Sequence, residues 1–243
     1  MLTEKEIKEF AIAFNKYAKD KLPPIIIKTS KKNVLDQLEQ RFAELGGLSF
    51  ELVKEIDQYT KPLGPEKETE WLSNFDIENV MKWYEQKYPD FKFYGAIPLD
   101  CEDYNFCPLR RFTNDKSKIG VIYNLDRYGQ SGSHWVSLFA DLEKCVVYFS
   151  DSAGKPPKPD IMRFVERITK YCDNMTFKYN TKKYQTDNTE CGVYSINFIL
   201  RLLKGDSYED IIKTAPNFKE INSCRNVYFA NQPSRHITNY QCD

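Results

Sequence analysis

The segment CGVYSINFILRLLKG, residues 191–205, is strongly apolar, and it limits the possible folds more than any other part of the chain. Its length and residue types predict a helix, and Gly205 ends that helix because glycine readily adopts the left-handed conformation of a helix C terminus. A helix that is hydrophobic on most faces must be covered by other elements. We therefore predict a domain in which one buried helix begins at Cys191.

Short segments rich in β-branched and aromatic residues precede this helix, and turn-forming residues separate them, which is typical of consecutive strands. They are KIGVIYNLD (118–126), HWVSLFAD (134–141), KCVVYFS (144–150) and MTFKYN (175–180). Between the last two, KPDIMRFVERITKYC has the periodicity of a helix. This order predicts an α+β domain in which the central helix packs against a small sheet.

The first part of the chain, residues 1–64, reads as a helical extension, and residues 65–243 as the main domain. Thr3 and Glu6 have the spacing of a capping box at the start of a first helix. Further helices are predicted at about 33–45 and about 50–59, before the charged, proline-containing link KPLGPEKE. Beyond the link, WLSNFDIENVMKWYEQKYP predicts a helix with its cap near Asn74.

The charges of the chain are balanced, with 35 basic and 35 acidic side chains. No bulk field therefore attracts nucleic acid or a membrane surface. No apolar run approaches the roughly 20 residues that cross a bilayer. The N terminus lacks the pattern of a secretory signal. We expect a soluble protein made in the cytosol.

The seven cysteines form an odd set without a CxxC pair, which argues against both a disulfide framework and a zinc site. Reduced thiols are the expectation, with no metal and no organic cofactor. The chain has only two histidines, His134 and His236, so any mechanism that uses an imidazole has few candidates.

A thiol nucleophile requires a base, a group that orients the base, and donors for the oxyanion. Cys191 lies at the predicted amino end of a helix, where free N–H groups favour the thiolate. His134 begins one predicted strand and Asp151 ends the next, so an antiparallel pairing can bring them together. Gln185 stands six positions before Cys191 and can offer an amide donor.

Each of these residues also has an ordinary structural explanation. A cysteine that starts an apolar helix is more often a core residue, and a histidine beside a tryptophan is more often packed in a strand. Asp151 could begin a turn. The conjunction of all four at the ends of neighbouring elements is what favours catalysis.

The HW pair, an acidic residue 17 positions after that histidine, and a glutamine six positions before CG resemble the signature of the adenain and ubiquitin-like-protein-specific cysteine protease superfamily. The runs WLSNFDI, GVIYNLD, GSHWVSLFADLEKC and TECGVYS most resemble polyprotein-processing proteases of African swine fever virus and related large DNA viruses. The resemblance implies a papain-like core, with a small mixed sheet packed on a central helix that starts at the nucleophile.

By this resemblance, His134 is the general base, Asp151 its orienting partner, Cys191 the nucleophile and Gln185 the oxyanion donor. The resemblance also implies substrate-binding roles. Trp71 and Trp135 match the tryptophans that roof a narrow tunnel for Gly-Gly, and Asn74 and Gly192 stand beside these motifs. Aromatic faces on both sides of a peptide exclude residues that have a Cβ atom, which makes this selectivity physically reasonable. The alternative is that both tryptophans are plain core residues.

The resemblance implies a cysteine endopeptidase that cuts viral structural polyproteins after Gly-Gly during virion maturation. We expect it to act as a monomer in the host cytoplasm and to be packaged in the virion. The alternatives are removal of a ubiquitin-like modifier, acetyl transfer on the same fold, or a catalytically dead binding module. Gly46-Gly47-Leu48 has the form of a self-cleavage site, although paired glycines more often simply close a helix.

Overall fold

The structure is a computed structural model that describes residues 4–17, 22–44, 61–113, 115–231 and 234–243. The chain divides into two compact units, Met1–Leu63 and Gly64–Asp243. This division falls one residue before the boundary expected from the sequence. Among the described residues, no helix combines the length and the hydrophobicity that a bilayer crossing requires.

The first unit contains helix α1 (Glu4–Tyr17) and helix α2 (Lys31–Glu44). Apolar side chains of both helices and of the segment between them form its core, which consists of Ile7, Phe10, Ala11, Phe14, Ile25, Val34 and Leu38. Asn15 fixes the connecting segment, because its side chain accepts from Ile25 N at 2.6 Å and donates to Ile25 O at 2.9 Å. Thr3, the Gly46-Gly47-Leu48 sequence and the helix predicted at about 50–59 lie outside the described residues.

Among the described residues, the second unit carries the other helices and the strands. Its longer elements are α3 (Asn74–Lys87), β1 (Phe91–Pro98), β2 (Lys118–Asn124), β3 (Trp135–Asp141), β4 (Val146–Ser150), α4 (Pro159–Ile168), β5 (Thr176–Tyr179) and α5 (Cys191–Lys204). Three short helices follow, α6 (Tyr208–Lys213), α7 (Phe218–Ser223) and α8 (Arg225–Tyr228). Short 3-10 turns occupy Cys101–Asp103, Pro108–Arg111 and Thr169–Tyr171.

The five strands found in the described part of the chain form one mixed sheet in the order β1-β2-β3-β4-β5. The two outer pairs, β1 with β2 and β4 with β5, are parallel, and the two inner pairs are antiparallel. This confirms the expected small mixed sheet. β1 was not predicted, because Gly95 with φ of +116° interrupts its pattern and shifts the register between Phe93 and Ala96.

Strand β3 is the centre of the sheet, and all of its residues are buried. Alternate side chains point to opposite faces, as the period of a strand requires. Trp135 and Phe139 belong to the apolar cluster that contains α5, whereas Val136 and Leu138 belong to the cluster that contains α4. The sheet is therefore covered on both faces.

Helix α5 confirms the predicted central helix. It begins at Cys191 and ends before Gly205, which has φ of +107° and closes the helix with its N–H. Twelve of its residues are buried. That burial explains why the segment is so poor in polar residues.

The expectation of reduced thiols was wrong for six of the seven cysteines. Disulfides join Cys101 to Cys107, Cys145 to Cys172, and Cys224 to Cys242, with Cα–Cα distances of 5.3, 5.8 and 5.3 Å. These separations suit a disulfide. Two of the three pairs bring together positions 27 and 18 residues apart, so spacing in the sequence did not reveal them. Cys191 is left as the free cysteine.

Candidate active site

The ends of two antiparallel strands bring His134 and Asp151 together. His134 directly precedes β3 and Asp151 directly follows β4, and the pairing of Ser137 with Ser150 sets the register between these strands. His134 Nε2 lies 2.6 Å from Asp151 Oδ1. Asp151 is buried, whereas the His134 side chain is 20% exposed. The carboxylate therefore holds one ring nitrogen while part of the ring faces the solvent.

A network that sequence reasoning missed holds Asp151 in place. Asp151 Oδ1 also accepts from Ala153 N at 2.7 Å. Buried Asn180 binds the Asp151 main chain in both directions, since Asp151 N donates to Asn180 Oδ1 at 2.9 Å and Asn180 Nδ2 donates to Asp151 O at 2.7 Å. Asn180 directly follows β5, and polar residues at strand ends were the signal that could have identified it.

Cys191 is the first residue of α5, and it is buried at 3% exposure. The first N–H groups of a helix have no partner within the helix, so the thiol lies at the positive end of the helix dipole. The Cys191 side chain interacts with the His134 ring strongly enough to raise the pKa of that histidine, as the Asp151 carboxylate also does. Since Asp151 occupies Nε2, the ring nitrogen left for the sulfur is Nδ1.

The protonation of His134 reflects this position between the thiol and the carboxylate. Burial is the largest influence and by itself lowers the pKa, but the hydrogen bonds to Asp151 and Cys191 outweigh it and raise the pKa of His134 to about 9. The imidazolium is therefore the favoured form at neutral pH. The ring therefore carries a proton that a general acid can donate.

Gln185 lies in the same site but is already hydrogen bonded. Its Oε1 accepts from Ser152 Oγ at 2.5 Å, and its Nε2 donates to Asp187 O at 2.9 Å. An amide nitrogen has two hydrogens, and the second contact, with Asp187 Oδ1 at 3.5 Å, is too long for a good bond. Gln185 also lines a cavity that contains His134. Its assignment as an oxyanion donor stays a prediction.

Three of the residues predicted to bind substrate line one cavity of about 460 Å³ together with His134. They are Trp71, Asn74 and Trp135. Trp135 is buried and its Nε1 donates to Leu72 O at 2.9 Å, which fixes the ring, whereas Trp71 is 47% exposed. Asn74 is the first residue of α3, and the cap is Ser73 rather than Asn74.

Gly192 has a different environment from the other predicted binding residues. It is buried, and a Cβ atom built on it would lie 3.1 Å from Leu72 Cβ. This distance between the two Cβ positions is shorter than an ordinary van der Waals contact. Glycine here lets Leu72 approach the start of α5, next to the Trp135 hydrogen bond. Direct contact of Gly192 with substrate stays a prediction.

A buried ion pair behind the nucleophile was also missed. Glu190 and Arg225 have no exposed side-chain surface, and Arg225 Nε donates to Glu190 Oε2 at 3.0 Å. Arg225 Nη2 donates to Glu70 O at 2.8 Å, and Asn222 Nδ2 donates to Glu190 Oε1 at 3.2 Å. The pair thus connects the residue before Cys191 to the residue before Trp71.

Comparisons with known proteins show which family the chain resembles. Residues 108–225 match the model of the Ulp1 protease family, C-terminal catalytic domain. A protein of Acanthamoeba polyphaga mimivirus that is named a thiol protease is 40% identical over 98% of this chain and 91% of its own length. A SUMO-1 cysteine protease of African swine fever virus is 26% identical, and the alignment covers 77% of each chain.

A solved structure shows the same fold. The crystal structure of an African swine fever virus protease aligns with 94% of this chain and 90% of its own, with a TM-score of 0.64 and 23% sequence identity. The identity and coverage of the mimivirus relative are high enough to assign a family. This chain is a cysteine protease that belongs to the Ulp1 protease family.

Proposed function

We propose that this protease is an endopeptidase that cleaves polypeptides after Gly-Gly, with Cys191 as its nucleophile. The observation that carries the proposal is the cavity that joins Trp71 and Trp135 to His134. Flat aromatic faces beside the reacting group favour a peptide without side chains. In this proposal, the space beside the two rings admits glycine but not residues with a Cβ atom at the two positions before the scissile bond.

In the proposed reaction, the Cys191 thiolate attacks the carbonyl carbon of the second glycine. The His134 imidazolium gives its Nδ1 proton to the leaving amine, and a thioester forms between Cys191 and the substrate glycine. Neutral His134 then takes a proton from water, which attacks the thioester and releases the free glycine carboxylate. Asp151 keeps the ring oriented through Nε2 in both steps.

Charge that develops on the attacked carbonyl oxygen needs donors fixed in advance. We assign this role to the main-chain N–H of Cys191 and to the second Nε2 hydrogen of Gln185. The bond from Ser152 Oγ to Gln185 Oε1 orients that amide, and Ser152 O accepts from Gln185 N at 3.0 Å. The Asp151 loop therefore also supports the proposed oxyanion site.

The proposed substrates are viral structural polyproteins cut during virion maturation. The relatives in mimivirus and African swine fever virus support a viral setting. We further propose that the enzyme acts as a monomer in the host cytoplasm and is packaged in the particle.

A second candidate function is removal of a ubiquitin-like modifier. It is favoured by the name of the African swine fever virus relative, which is called a SUMO-1 cysteine protease. The chemistry is the same for both substrates, but a modifier would be recognised as a folded domain.

One assay separates the two functions. Gly-Gly-X peptides and folded ubiquitin-like fusions are incubated with the wild-type chain and with Cys191→Ser. The proposal expects cleavage of the peptides by wild type and a loss of at least about a thousandfold in the variant. Cleavage restricted to folded fusions would favour the second function, and cleavage by both forms of the enzyme would reject Cys191 as the nucleophile.

A further inference from the structure

Three aromatic side chains form an exposed cluster near the proposed active site. The ring centroids of Tyr104, Phe106 and Tyr128 lie 5.1 to 5.2 Å from one another. Phe106 and Tyr128 are each 58% exposed. Clustered apolar surface of this kind is costly in water and commonly marks a binding site. We call these three residues the aromatic platform.

The loops that carry the aromatic platform are fixed before any ligand binds. The Cys101–Cys107 disulfide closes the loop that contains Tyr104 and Phe106. Buried Asp100 connects this loop to the next one, because its carboxylate accepts from Tyr128 N at 2.8 Å and from Tyr104 OH at 3.4 Å. A surface ordered in advance loses little conformational entropy when it binds.

A continuous groove joins the aromatic platform to the proposed active site. The cavity that contains His134 and Trp135 extends to Tyr128. A second cavity of about 420 Å³ shares Tyr128 with it, together with Asn74 and residues 96–98, and reaches Phe106. A chain bound at His134 can therefore follow β1 as far as the aromatic platform.

The direction of this groove follows from the tryptophans. Both Trp71 and Trp135 line the cavity that leads to the aromatic platform. A separate cavity that His134 also lines contains Trp71 and Gln185 but neither Trp135 nor Tyr128. If the tryptophan pair holds Gly-Gly, as the proposed function requires, the aromatic platform lies on the side that receives residues upstream of the scissile bond.

We propose that the aromatic platform binds an apolar side chain of the extended substrate segment upstream of Gly-Gly. This inference rests on the proposed function and adds a second determinant of specificity to it. An aromatic or aliphatic side chain on the three rings would remove exposed apolar surface from water. Gly-Gly alone would then define the cleavage point, and the upstream residue would select among Gly-Gly sequences.

The test is a scan of peptide substrates that end in Gly-Gly-X. The third to sixth residues before the scissile bond are changed one at a time from Ser to Phe, and kcat/KM is measured. We expect Phe at one of these positions to raise kcat/KM by at least about fivefold, the value of a single good contact. We expect the increase in kcat/KM to come mainly from a lower KM, since the aromatic platform is remote from the reacting atoms.

Two variants assign the effect to the aromatic platform. Phe106→Ala, alone and with Tyr128→Ala, should bring the ratio of kcat/KM for the Phe and Ser peptides close to one. Tyr179→Ala is the matched control, because Tyr179 is 41% exposed on β5, at the edge of the sheet opposite β1, and should keep the wild-type ratio. If the double variant fails to fold, the single variant Phe106→Ala decides the assignment, because this side chain is 58% exposed and its loss leaves the core intact.

The outcomes separate this inference from the function on which it rests. No cleavage of any Gly-Gly peptide would reject the proposed function. Cleavage without an upstream preference, or a preference that survives in both platform variants, would overturn the aromatic platform as a substrate site. Better cleavage of a folded fusion, with no dependence on the upstream side chain, would overturn it as well.

Discussion

Arg225 and Glu190 form a fully buried ion pair directly behind Cys191, with Arg225 Nε 3.0 Å from Glu190 Oε2 and Nη2 3.1 Å from Glu190 Oε1. Arg225 also holds the main chain at Glu70, immediately before Trp71. One guanidinium thus fixes the approach to α5 and the segment that carries a predicted substrate-binding residue. The pair is therefore a positioning element for the site.

Arg225→Met is expected to destabilise the protein strongly, because it leaves the Glu190 carboxylate buried without its partner. Removing one member of a buried pair typically costs about 3–5 kcal/mol. The free energy of unfolding in urea measures the loss. The double variant Arg225→Met with Glu190→Gln should recover part of it, since no unpaired charge remains. If the losses of unfolding free energy in Arg225→Met and in Glu190→Gln add up to the loss in the double variant, the two residues are not coupled as described.

Gly154→Ala is expected to displace the Asp151 loop. Gly154 has φ of +72°, and a Cβ atom there would lie 2.5 Å from Lys183 N. The left-handed conformation alone costs about 1–2 kcal/mol for a residue with a side chain, and the clash with main chain adds to this. Both the free energy of unfolding and kcat/KM should fall.

Gly205→Ala is the matched control for Gly154→Ala. Gly205 has φ of +107°, but nothing lies within 4 Å of the position that a Cβ atom would take there, so the variant carries only the conformational cost. It should be less destabilised than Gly154→Ala, and its kcat/KM per folded molecule should stay near that of wild type. Equal effects of the two variants would show that the contact with Lys183 is unimportant.

The raised pKa of His134 predicts how activity depends on pH. Burial alone would lower this pKa, but the bonds to Asp151 and Cys191 raise it to about 9. The imidazolium should therefore be lost near pH 9, and kcat/KM should fall there. Asp151→Asn removes the carboxylate charge, so the fall in kcat/KM should occur at lower pH. A fall in kcat/KM at the same pH in wild type and Asp151→Asn would contradict the role of Asp151 in raising the pKa of His134.

The same shift predicts a pH dependence of stability. The folded pKa lies above the ordinary value of 6.5, so the stabilisation is fully present below about pH 6.5 and is lost as the pH rises through about 9. The shift corresponds to at most about 3.5 kcal/mol. The difference in unfolding free energy between wild type and Asp151→Asn should be larger at pH 6 than at pH 9.5. A difference that does not change with pH would reject the linkage.

The cysteine pairing predicts a thiol count. Three disulfides leave Cys191 as the one free thiol, so titration of the unreduced, denatured chain should find one thiol. Reduction should release all seven. Seven thiols before reduction would show that the disulfides do not form.

Much of the fold followed from local patterns in the sequence. The central helix, four strands of the sheet and helix α4 were predicted near their observed positions, because each has a clear period and defined ends. His134 and Asp151 were expected to meet because consecutive antiparallel strands are neighbours in space. β1 was missed because its glycine bulge breaks the alternation that identifies a strand.

Features that depend on distant parts of the chain could not be predicted. Arg225 lies in a polar run, NSCRNVY, and nothing in that run indicates that Glu190, 35 residues earlier, will be buried against it. The disulfide pairing and the hydrogen bonds between Asn180 and the Asp151 main chain could not be predicted for the same reason, because they also join distant positions in the sequence. The exposure of a side chain could not be predicted either. From the sequence alone Phe106 would be placed in the core, but the fold leaves it on the surface.

The central claim, that Cys191 is the nucleophile of a Gly-Gly-directed protease, is tested most directly by a covalent trap. A peptide that ends in Gly-Gly with an electrophile in place of the scissile bond is incubated with the enzyme, and the adduct is located by mass spectrometry. We expect one adduct per chain, on Cys191, and none in Cys191→Ser or after Cys191 has been alkylated. An adduct on another residue, or equal labelling of Cys191→Ser, would contradict the claim.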